Sequence, residues 1–394
     1  MNDLPQPGDG ASAPPDVRQR AEERARHLAA SYDLDGFLEQ CRVAHDADQA
    51  EPIAGMQYAE ALGYVGRFDE KTRLLEALLA IEPQHAHLNL CYALELLAQG
   101  RHRDAWRHFA YRAAFKNVIR PDPGLPPERI WRGEPLAGKR IALISEQGLG
   151  DTLQYVRYAI DLQRAGAMAY LNVQPALRPL LTGSPSLGVV LTPAKPTEIN
   201  YWARLIDLLP VTAPTRDDVK WPGAYVSPPA APAPAALKAS DRAGGLRVGL
   251  AWRGNPAFPS NYARSMALET LAPIQEARNC RFFSLMPPEA AEEIQACGAG
   301  AWLTDLSPIS SPFEELARAV AAMDVVVSVC TSIAHLAASM GKPTFLMLSA
   351  LPDWRWARSG EATPWYPSVR LFRQTRFGRW DDVVWKISET LQGL

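Results

Sequence analysis

Two segments of this chain place small and polar residues directly after a short apolar strand pattern. The first covers residues 140–151 and ends in Glu-Gln-Gly-Leu-Gly-Asp151, and the second covers residues 324–335 and contains Cys330-Thr-Ser. Each pattern predicts a strand, a turn and the start of a helix. In parallel α/β sheets, ligands bind where strands end and the following helices begin. Two such units, about 180 residues apart, predict a ligand held between two domains.

Asp151 has two candidate roles in the first turn. Gly148 and Gly150 allow a tight turn and let a ligand approach the backbone closely. If the Asp151 carboxylate points into the space between the domains, it can take a proton from an attacking hydroxyl group. An aspartate at a helix start also caps exposed N–H groups. The residues alone leave both roles open.

The second turn has the composition of an anion site. Thr331 and Ser332 add hydroxyl groups to the free N–H groups of a helix start, where the helix dipole favours a phosphate or diphosphate. His335 follows about one turn later and would lie near the same opening. The alternative is a capped helix with a partly buried core histidine.

A long polar loop at residues 252–265 follows the first strand pattern of the second half. It carries Arg253, Asn255 and Arg264, and Ser265 opens the next helix. Arginine can bind phosphate oxygens in pairs, so this loop suits a nucleotide diphosphate. The alternative is a solvated loop.

Alternating strand and helix patterns position these turns in two units. For the first unit, residues 139–225, the patterns predict strands at 139–145, 168–173 and 189–191 and helices at 153–165, 174–181 and 201–208. For the second unit, residues 246–379, they predict strands at 247–252, 280–285, 302–305, 324–329 and 344–348 with helices at 268–277, 288–297, 313–323 and 333–340. This alternation predicts parallel sheets with helices on both faces. A Pro- and Ala-rich hinge is predicted at 226–245, and a closing helix at 380–394.

Residues 17–118 have a helical pattern with a 34-residue repeat. Gly66-Arg-Phe-Asp-Glu-Lys aligns with Gly100-Arg-His-Arg-Asp-Ala, and Pro83 follows Gly66 by 17 residues. The pattern resembles tetratricopeptide repeats, and a plain helical bundle is the alternative. Two or three repeats bury their apolar faces only against neighbours, so we expect this module to pack on the next domain. By analogy to the repeat class, its concave face would bind a peptide or protein.

Composition excludes several other classes of protein. The 394 residues allow two or three domains, and 47% hydrophobic with 21% charged residues is ordinary for a globular chain. The net charge of −2 gives no sign of nucleic-acid binding, and no apolar run reaches the roughly 18 residues of a membrane span. Residues 1–16 lack a signal-peptide pattern, which predicts a disordered tail and a cytoplasmic protein. The five scattered cysteines favour neither a zinc site nor a disulfide framework.

Seven motifs in order resemble bacterial proteins in which tetratricopeptide repeats precede a glycosyltransferase domain related to the ADP-heptose transferases. The resemblance covers the chain from about Gly55 to its end. The matching segments are residues 146–157, 248–256, 264–265, 331–337, 341–343, 352–356, and 365–367 together with 371–374.

The resemblance implies an α/β GT-B fold, two Rossmann-like domains facing a cleft, preceded by an all-α tetratricopeptide-repeat module. It implies that Asp151 is the catalytic base that deprotonates an acceptor hydroxyl, which attacks the anomeric carbon while the nucleotide diphosphate leaves. No metal or other cofactor is expected, the donor would be an ADP- or UDP-linked sugar, and the acceptor a hydroxyl or amide of a protein or peptide held by the repeats. The residues implied to face the donor nucleotide are Gly148, Gly150, Asn255, Arg264, Thr331, Ser332 and His335. Further candidates in the same motifs are Gln147, Arg253, Cys330 and Asp353.

Three positions depart from the family's pattern. Cys330 stands where the family usually has an aspartate that contacts the donor sugar, and Phe258 stands near the place of a histidine. Residues 201–210 lack the usual polar-Pro-Leu-x-Ser-Leu-Pro pattern. Two alternatives therefore stay open: a tetratricopeptide scaffold that no longer catalyses, and a heptosyltransferase of the lipopolysaccharide core. The sequence does not fix the sugar, the nucleotide, the acceptor, or whether the chain forms a homo-oligomer.

Overall fold

Helices in pairs make up the first part of the chain. The computed structural model describes residues 33–115, 124–146, 148–189, 196–230, 244–258, 261–306 and 312–394. The helices in its first range are α1 (Leu34–Ala47), α2 (Pro52–Tyr64), α3 (Phe68–Ile81), α4 (Ala86–Ala98) and α5 (His102–Phe109). The predicted tail at 1–16 lies outside the described residues, as do residues 17–32 of the helical pattern predicted for 17–118.

The 34-residue period is present in these helices. Helices α2 and α4 begin 34 residues apart, and so do α3 and α5. Gly66 and Gly100 occupy equivalent turns with φ of 76° and 79°. In the same turns, the Arg67 N–H donates to the Leu62 carbonyl and the Arg101 N–H to the Leu96 carbonyl, both at 2.9 Å. Both helices therefore end in the same glycine-based C-terminal motif, while the assignment to the tetratricopeptide class stays a prediction.

The first α/β unit contains a three-stranded parallel sheet in the order β2-β1-β3. The predicted helix at 201–208 is wrong, because Tyr201–Arg204 pairs with β1 as a strand and only Leu205–Leu208 form a short 3-10 helix. The predicted strand at 189–191 lies mostly outside the described residues, and Val189 lies in no strand. The elements are β1 (Arg140–Ile144), α6 (Leu149–Tyr155), α7 (Tyr158–Arg164), β2 (Met168–Asn172), α8 (Arg178–Thr182), β3 (Tyr201–Arg204) and α9 (Leu209–Thr212).

The second α/β unit contains a six-stranded parallel sheet in the order β6-β5-β4-β7-β8-β9. The alternation predicted five of these strands and missed β9, which pairs with β8 along its whole length. The elements are β4 (Leu246–Ala251), α10 (Asn261–Arg264), α11 (Leu268–Leu271), β5 (Cys280–Ser284), α12 (Ala291–Ala296), β6 (Leu303–Asp305), α13 (Phe313–Ala321), β7 (Val325–Val329), α14 (Ser332–Ser339), β8 (Thr344–Leu348), β9 (Val369–Arg373) and α15 (Asp381–Gln392).

Both sheets reverse their strand order at the turns that carry the candidate residues. In the second unit the order reverses between β4 and β7, and in the first unit it reverses at β1. Ligands of open α/β sheets bind in the crevice at such switch points, outside the carboxyl ends of the strands. The turn after β1, the loop after β4 and the turn after β7 all lie at this kind of position.

The helical module packs on both α/β units, whereas the sequence led us to expect packing on the next domain. The Trp354 ring contacts three rings of α5, those of His102, Trp106 and Phe109. The Trp106 indole donates to the Pro214 carbonyl at 2.9 Å in the first unit. One continuous apolar core runs through the module and both sheets. Within the residues that the structure describes, no helix combines the length and apolar character that would let it cross a bilayer.

Candidate functional site

The two turns meet where α6 of the first unit packs on α14 of the second. Gly150 lies at the point of closest approach. A Cβ atom at Gly150 would lie 2.8 Å from the His335 Cδ2 atom and 3.5 Å from the Ser332 Cα atom. The absence of a side chain at Gly150 therefore lets the two helix starts touch, and a contact of Gly150 with the donor stays a prediction.

Both carboxylate oxygens of Asp151 have partners. Oδ2 accepts a hydrogen bond from the Gly148 N–H at 2.9 Å, so Asp151 caps the start of its own helix. Oδ1 is paired with the Arg355 guanidinium of the second unit. Burial raises the pKa of the Asp151 carboxyl, while the charge of Arg355 lowers it. Asp151 is thus a cap and an ion-pair partner, and its role as a base stays a prediction.

Arg355 connects the two units and was not singled out from the sequence. Its Nη2 pairs with Asp151 and its Nε donates to the Tyr155 hydroxyl at 2.6 Å, both on α6. Its Nη1 donates to Asp353 Oδ2 at 2.8 Å. The Arg355 side chain is only 9% exposed, whereas that of Asp353 is 37% exposed. The signal was present in the sequence, because Arg355 lies in the motif Pro352-Asp-Trp-Arg-Trp356.

The start of α14 has free backbone donors. Thr331 is the N-cap residue, and its side chain makes no capping hydrogen bond. The Thr331 hydroxyl instead lies 3.2 Å from the Ser328 hydroxyl, and Ser332 is half-buried. The first N–H groups of an α-helix lack partners within the helix, so this end can receive an anion.

His335 lies inside the contact between the units. Its Nδ1 is 3.0 Å from the Tyr366 hydroxyl, and its ring stacks on Trp356 with the ring centres 5.6 Å apart. Burial lowers the pKa of His335 well below its ordinary value, and the charge of Arg355 lowers it further. The imidazole is therefore neutral at pH 7 and can offer a hydrogen bond but no positive charge.

Cys330 is enclosed by two other residues of the second unit. Its Sγ accepts a hydrogen bond from the Trp356 indole at 3.1 Å, and its carbonyl accepts one from Arg264 Nη1 at 2.8 Å. Burial raises the pKa of the Cys330 thiol to about 11, so the sulfur carries no charge at neutral pH. Cys330 thus does not supply the negative charge that an aspartate would supply at this position.

The polar residues of the loop after β4 contact different parts of the second unit. Arg264 reaches the turn before α14 and covers the exposed Phe258 ring at 4.5 Å. Arg253 points to α12 instead, where its Nε lies 3.0 Å from Glu293 Oε2. Asn255 is exposed, and its side-chain oxygen accepts from the Ala257 N–H at 2.9 Å within the loop. The structure therefore brings Arg264 to the candidate site and gives Arg253 and Asn255 local partners.

A buried ionic cluster lies at the carboxyl end of the first sheet. Glu146 follows β1, and its side chain pairs with Arg112 of the helical module at 3.1 Å and with Arg204 of β3 at 3.3 Å. Arg112 also pairs with Asp207. Burial raises the pKa of Glu146 to about 7 although Arg112 lowers it. Sequence reasoning missed this cluster, because its members come from three separate segments.

The candidate residues thus fall into three groups. Most of them gather around the contact of α6 with α14, where Arg355 joins them: Gly148, Gly150, Asp151, Arg264, Cys330, Thr331, Ser332, His335 and Asp353. Arg253 and Asn255 have partners elsewhere. Gln147 lies outside the described residues.

No family model matches the chain. Protein FlbA of Caulobacter vibrioides (strain ATCC 19089 / CIP 103742 / CB 15) is 27% identical over 333 residues, which cover 78% of this chain and 55% of FlbA. The chain therefore spans about half the length of this curated relative.

Several solved glycosyltransferases are structurally similar to the chain. The glycosyl transferase family 9 structure from Veillonella parvula is 12% identical and covers 66% of this chain and 99% of its own, with a TM-score of 0.45. The E. coli heptosyltransferase WaaC with ADP-2-deoxy-2-fluoro heptose is 14% identical and covers 64% and 98%, with a TM-score of 0.40. A mutant Thermobaculum terrenum O-GlcNAc transferase is 14% identical and covers 97% and 91%, with a TM-score of 0.32. Each of these TM-scores lies below 0.5.

Proposed function

We propose that this chain is a glycosyltransferase that moves a sugar from a nucleotide-diphosphate donor to a hydroxyl or amide acceptor. The observation that carries the proposal is the contact of two sheet switch points at Gly150 and His335. A carboxylate, Asp151, lies on one side of this contact. An uncapped helix start flanked by Arg264 and Arg355 lies on the other.

The donor would bind on the second unit. Its diphosphate would receive hydrogen bonds from the N–H groups at the start of α14 and from the Thr331 and Ser332 hydroxyls. Arg264 supplies positive charge at the same place, and neutral His335 supplies a hydrogen bond. Helix dipole and guanidinium groups would stabilise the charge of the leaving diphosphate without a metal ion, since preorganised donors do this in a site shielded from water.

The acceptor would approach from the side of Asp151. Its hydroxyl oxygen forms the new bond to the anomeric carbon, and its proton goes to the Asp151 carboxylate. The bond between the anomeric carbon and the phosphate oxygen breaks, and the nucleotide diphosphate leaves with that electron pair. For this step Asp151 needs an oxygen lone pair that does not already accept a hydrogen bond from Gly148 or Arg355.

The position of the helical module favours a protein or peptide as the acceptor. The module borders the candidate site, because Trp354 lies between Asp353 and Arg355 and its ring contacts three rings of α5. A polypeptide held on the module would therefore be presented close to Asp151.

Asp151→Asn tests the proposal. The amide keeps an oxygen for the Gly148 N–H but loses the basic carboxylate, so release of nucleotide diphosphate from a panel of ADP-, UDP- and GDP-sugars should fall by about 10²–10⁴-fold. Nucleotide affinity, measured by calorimetry, should not fall. Asp381→Asn, at the exposed start of α15, is the matched control. Turnover at the wild-type rate in Asp151→Asn would remove Asp151 from the mechanism.

A scaffold without catalysis is the second candidate. It is favoured by the two occupied oxygens of Asp151 and by the uncharged Cys330 thiol. Calorimetric titration of the full chain with ADP, UDP and GDP separates the two candidates. Binding of any of them supports the transferase, and binding of none supports the scaffold.

A further inference from the structure

Arg355 is bound to two carboxylates at once. Asp151 and Asp353 hold its two terminal nitrogens, and the Tyr155 hydroxyl accepts from Nε at 2.6 Å. The local charge of these three ionisable groups is −1, because one guanidinium faces two carboxylates. Each polar nitrogen of Arg355 thus has a partner in the free protein, and one of those partners is the proposed base.

Arg355 also lies beside the proposed diphosphate site. The next residue, Trp356, donates its indole N–H to Cys330 and stacks on His335, which places this turn against the start of α14. A Cβ atom at Gly150, the residue before Asp151, would lie 3.5 Å from the Ser332 Cα atom, so Asp151 also lies close to that helix start. Arginine pairs with carboxylates and with phosphates, so Arg355 could bind either of the two anions, and a diphosphate is the more highly charged of them.

The turn that carries Arg355 is held under backbone strain. Ala357 has φ 54° and ψ −175°, a combination that is essentially restricted to glycine. Ala357 has the only positive φ of a non-glycine residue among the described parts of the chain. Arg373 fixes the turn through hydrogen bonds to the carbonyls of Trp356 at 2.6 Å and Ala357 at 3.0 Å. Strain of this kind clusters at ligand clamps and switch regions, where surrounding contacts keep it in place.

We propose that Arg355 exchanges partners during the reaction: it holds Asp151 in the free protein and moves to the donor diphosphate when the nucleotide sugar binds. The exchange releases one oxygen of Asp151 for the acceptor proton. Donor binding would therefore precede formation of an active base, which protects the donor from premature attack. This inference rests on the proposed glycosyltransferase function and makes Arg355 a positioning residue for Asp151.

The exchange has a measurable consequence for nucleotide affinity. If Arg355 must leave Asp151 to reach the diphosphate, the ion pair competes with the ligand and weakens its apparent affinity. Asp151→Asn removes the competitor and should tighten binding of ADP or UDP by about 5- to 150-fold, the usual range of coupling between two sites. Arg355→Gln should weaken binding, and adding Asp151→Asn to it should bring no further tightening.

A double-mutant cycle on the full chain tests this by calorimetry with ADP and UDP. If Asp151→Asn tightens nucleotide binding in the wild-type background but not in the Arg355→Gln background, the exchange is supported. No tightening, or equal tightening in both backgrounds, overturns it, since loss of a nearby negative charge would act equally in both. If Arg355→Gln lowers the melting temperature, Arg355→Met, which also lacks the positive charge, replaces it in the cycle, and Arg370→Gln, at an exposed surface pair, is the control. If wild type binds neither nucleotide, nor GDP, the proposed function fails and this inference fails with it.

Discussion

At the residue scale, the structure gives Asp151 the capping role that the sequence offered and adds an ion pair with Arg355, while its role as a base stays a prediction. Its Oδ2 caps α6 through the Gly148 N–H, and its Oδ1 reaches across to Arg355. Capping fixes where the carboxylate lies, because a residue in the first helical turn has few conformations that reach the N-cap N–H. A cap and a candidate base can therefore be the same group, and the cap orients the base.

Gly150→Ala should loosen the contact between the two units. The added methyl group would lie 2.8 Å from the His335 ring, and overpacking of this kind costs about 1–3 kcal/mol of unfolding free energy. Urea denaturation measures the loss. Gly300→Ala is the matched control, because a Cβ atom there has no neighbour within 4 Å, so its effect should stay within about 0.5 kcal/mol. Equal stability of the two variants would show that the helix starts can separate freely.

His335 should make the protein less stable in acid. Burial holds the pKa of His335 well below the value near 6.5 that it has when unfolded, so below pH 6.5 the unfolded state binds a proton that the folded state does not. At pH 5.5 the wild type should therefore lose on the order of 1 kcal/mol of unfolding free energy that the His335→Gln variant keeps.

The measurement is the unfolding free energy of wild type minus that of His335→Gln, at pH 7.5 and at pH 5.5. Glu146 acts in the opposite direction, because its raised pKa of about 7 adds stability as the pH falls from 7. Its effect cancels in the difference, since both proteins contain Glu146. A difference that does not change with pH would mean that folding does not lower the pKa of His335.

At the scale of elements, backbone hydrogen bonds between strands decided the secondary structure where the local sequence pattern was misleading. Residues 201–204 read as helix, yet their backbone pairs with β1, and Trp202 and Ala203 are both buried. A strand buried on both faces loses the alternation of apolar and polar residues that identifies strands. All five residues of β7 are also buried, so it lacks this alternation too. The sequence nevertheless predicted β7, because four of the residues in Val325–Val329 are valine, a β-branched residue typical of strands.

The helix pairs of the module should respond equally to the same change in each repeat. Gly66 and Gly100 have φ of 76° and 79°, so alanine at either position would be strained and should cost about 1 kcal/mol of unfolding free energy. Asparagine tolerates this conformation better, so Gly66→Asn and Gly100→Asn should lose less. Chemical denaturation of the four variants checks this. A large effect at one glycine only would contradict the structural equivalence of the two turns.

At the scale of the whole molecule, the module and the two units are joined by buried side chains. Arg157, between α6 and α7, donates a hydrogen bond to the Trp365 carbonyl of the second unit. Its guanidinium lies 4.4 Å from the Tyr366 ring centre and 5.3 Å from the Tyr225 ring centre. Glu95 of α4 pairs with Arg358, next to the proposed site. All three parts of the chain therefore border the candidate site.

Trp354→Ala should loosen the module from the rest of the protein. The ring is buried between α5 and Trp365, so its loss should cost about 3–5 kcal/mol. Trp385→Ala is the control, because Trp385 is 50% exposed on α15 and should change stability little. Hydrogen exchange in α4 and α5 reports the loosening directly. Unchanged protection in these helices would show that the module holds its place without Trp354.

The sequence by itself determined the alternation of strands and helices, the 34-residue helical period and the turns that carry Asp151 and Thr331. These features depend on residues close together in the chain, where periodicity, glycine and proline act directly. Tertiary structure alone decided β3 and β9, the contact of Gly150 with His335, and the bridge from Arg355 to Asp151. Each of these joins residues that are distant in sequence, and distant pairing and packing outweigh local preference.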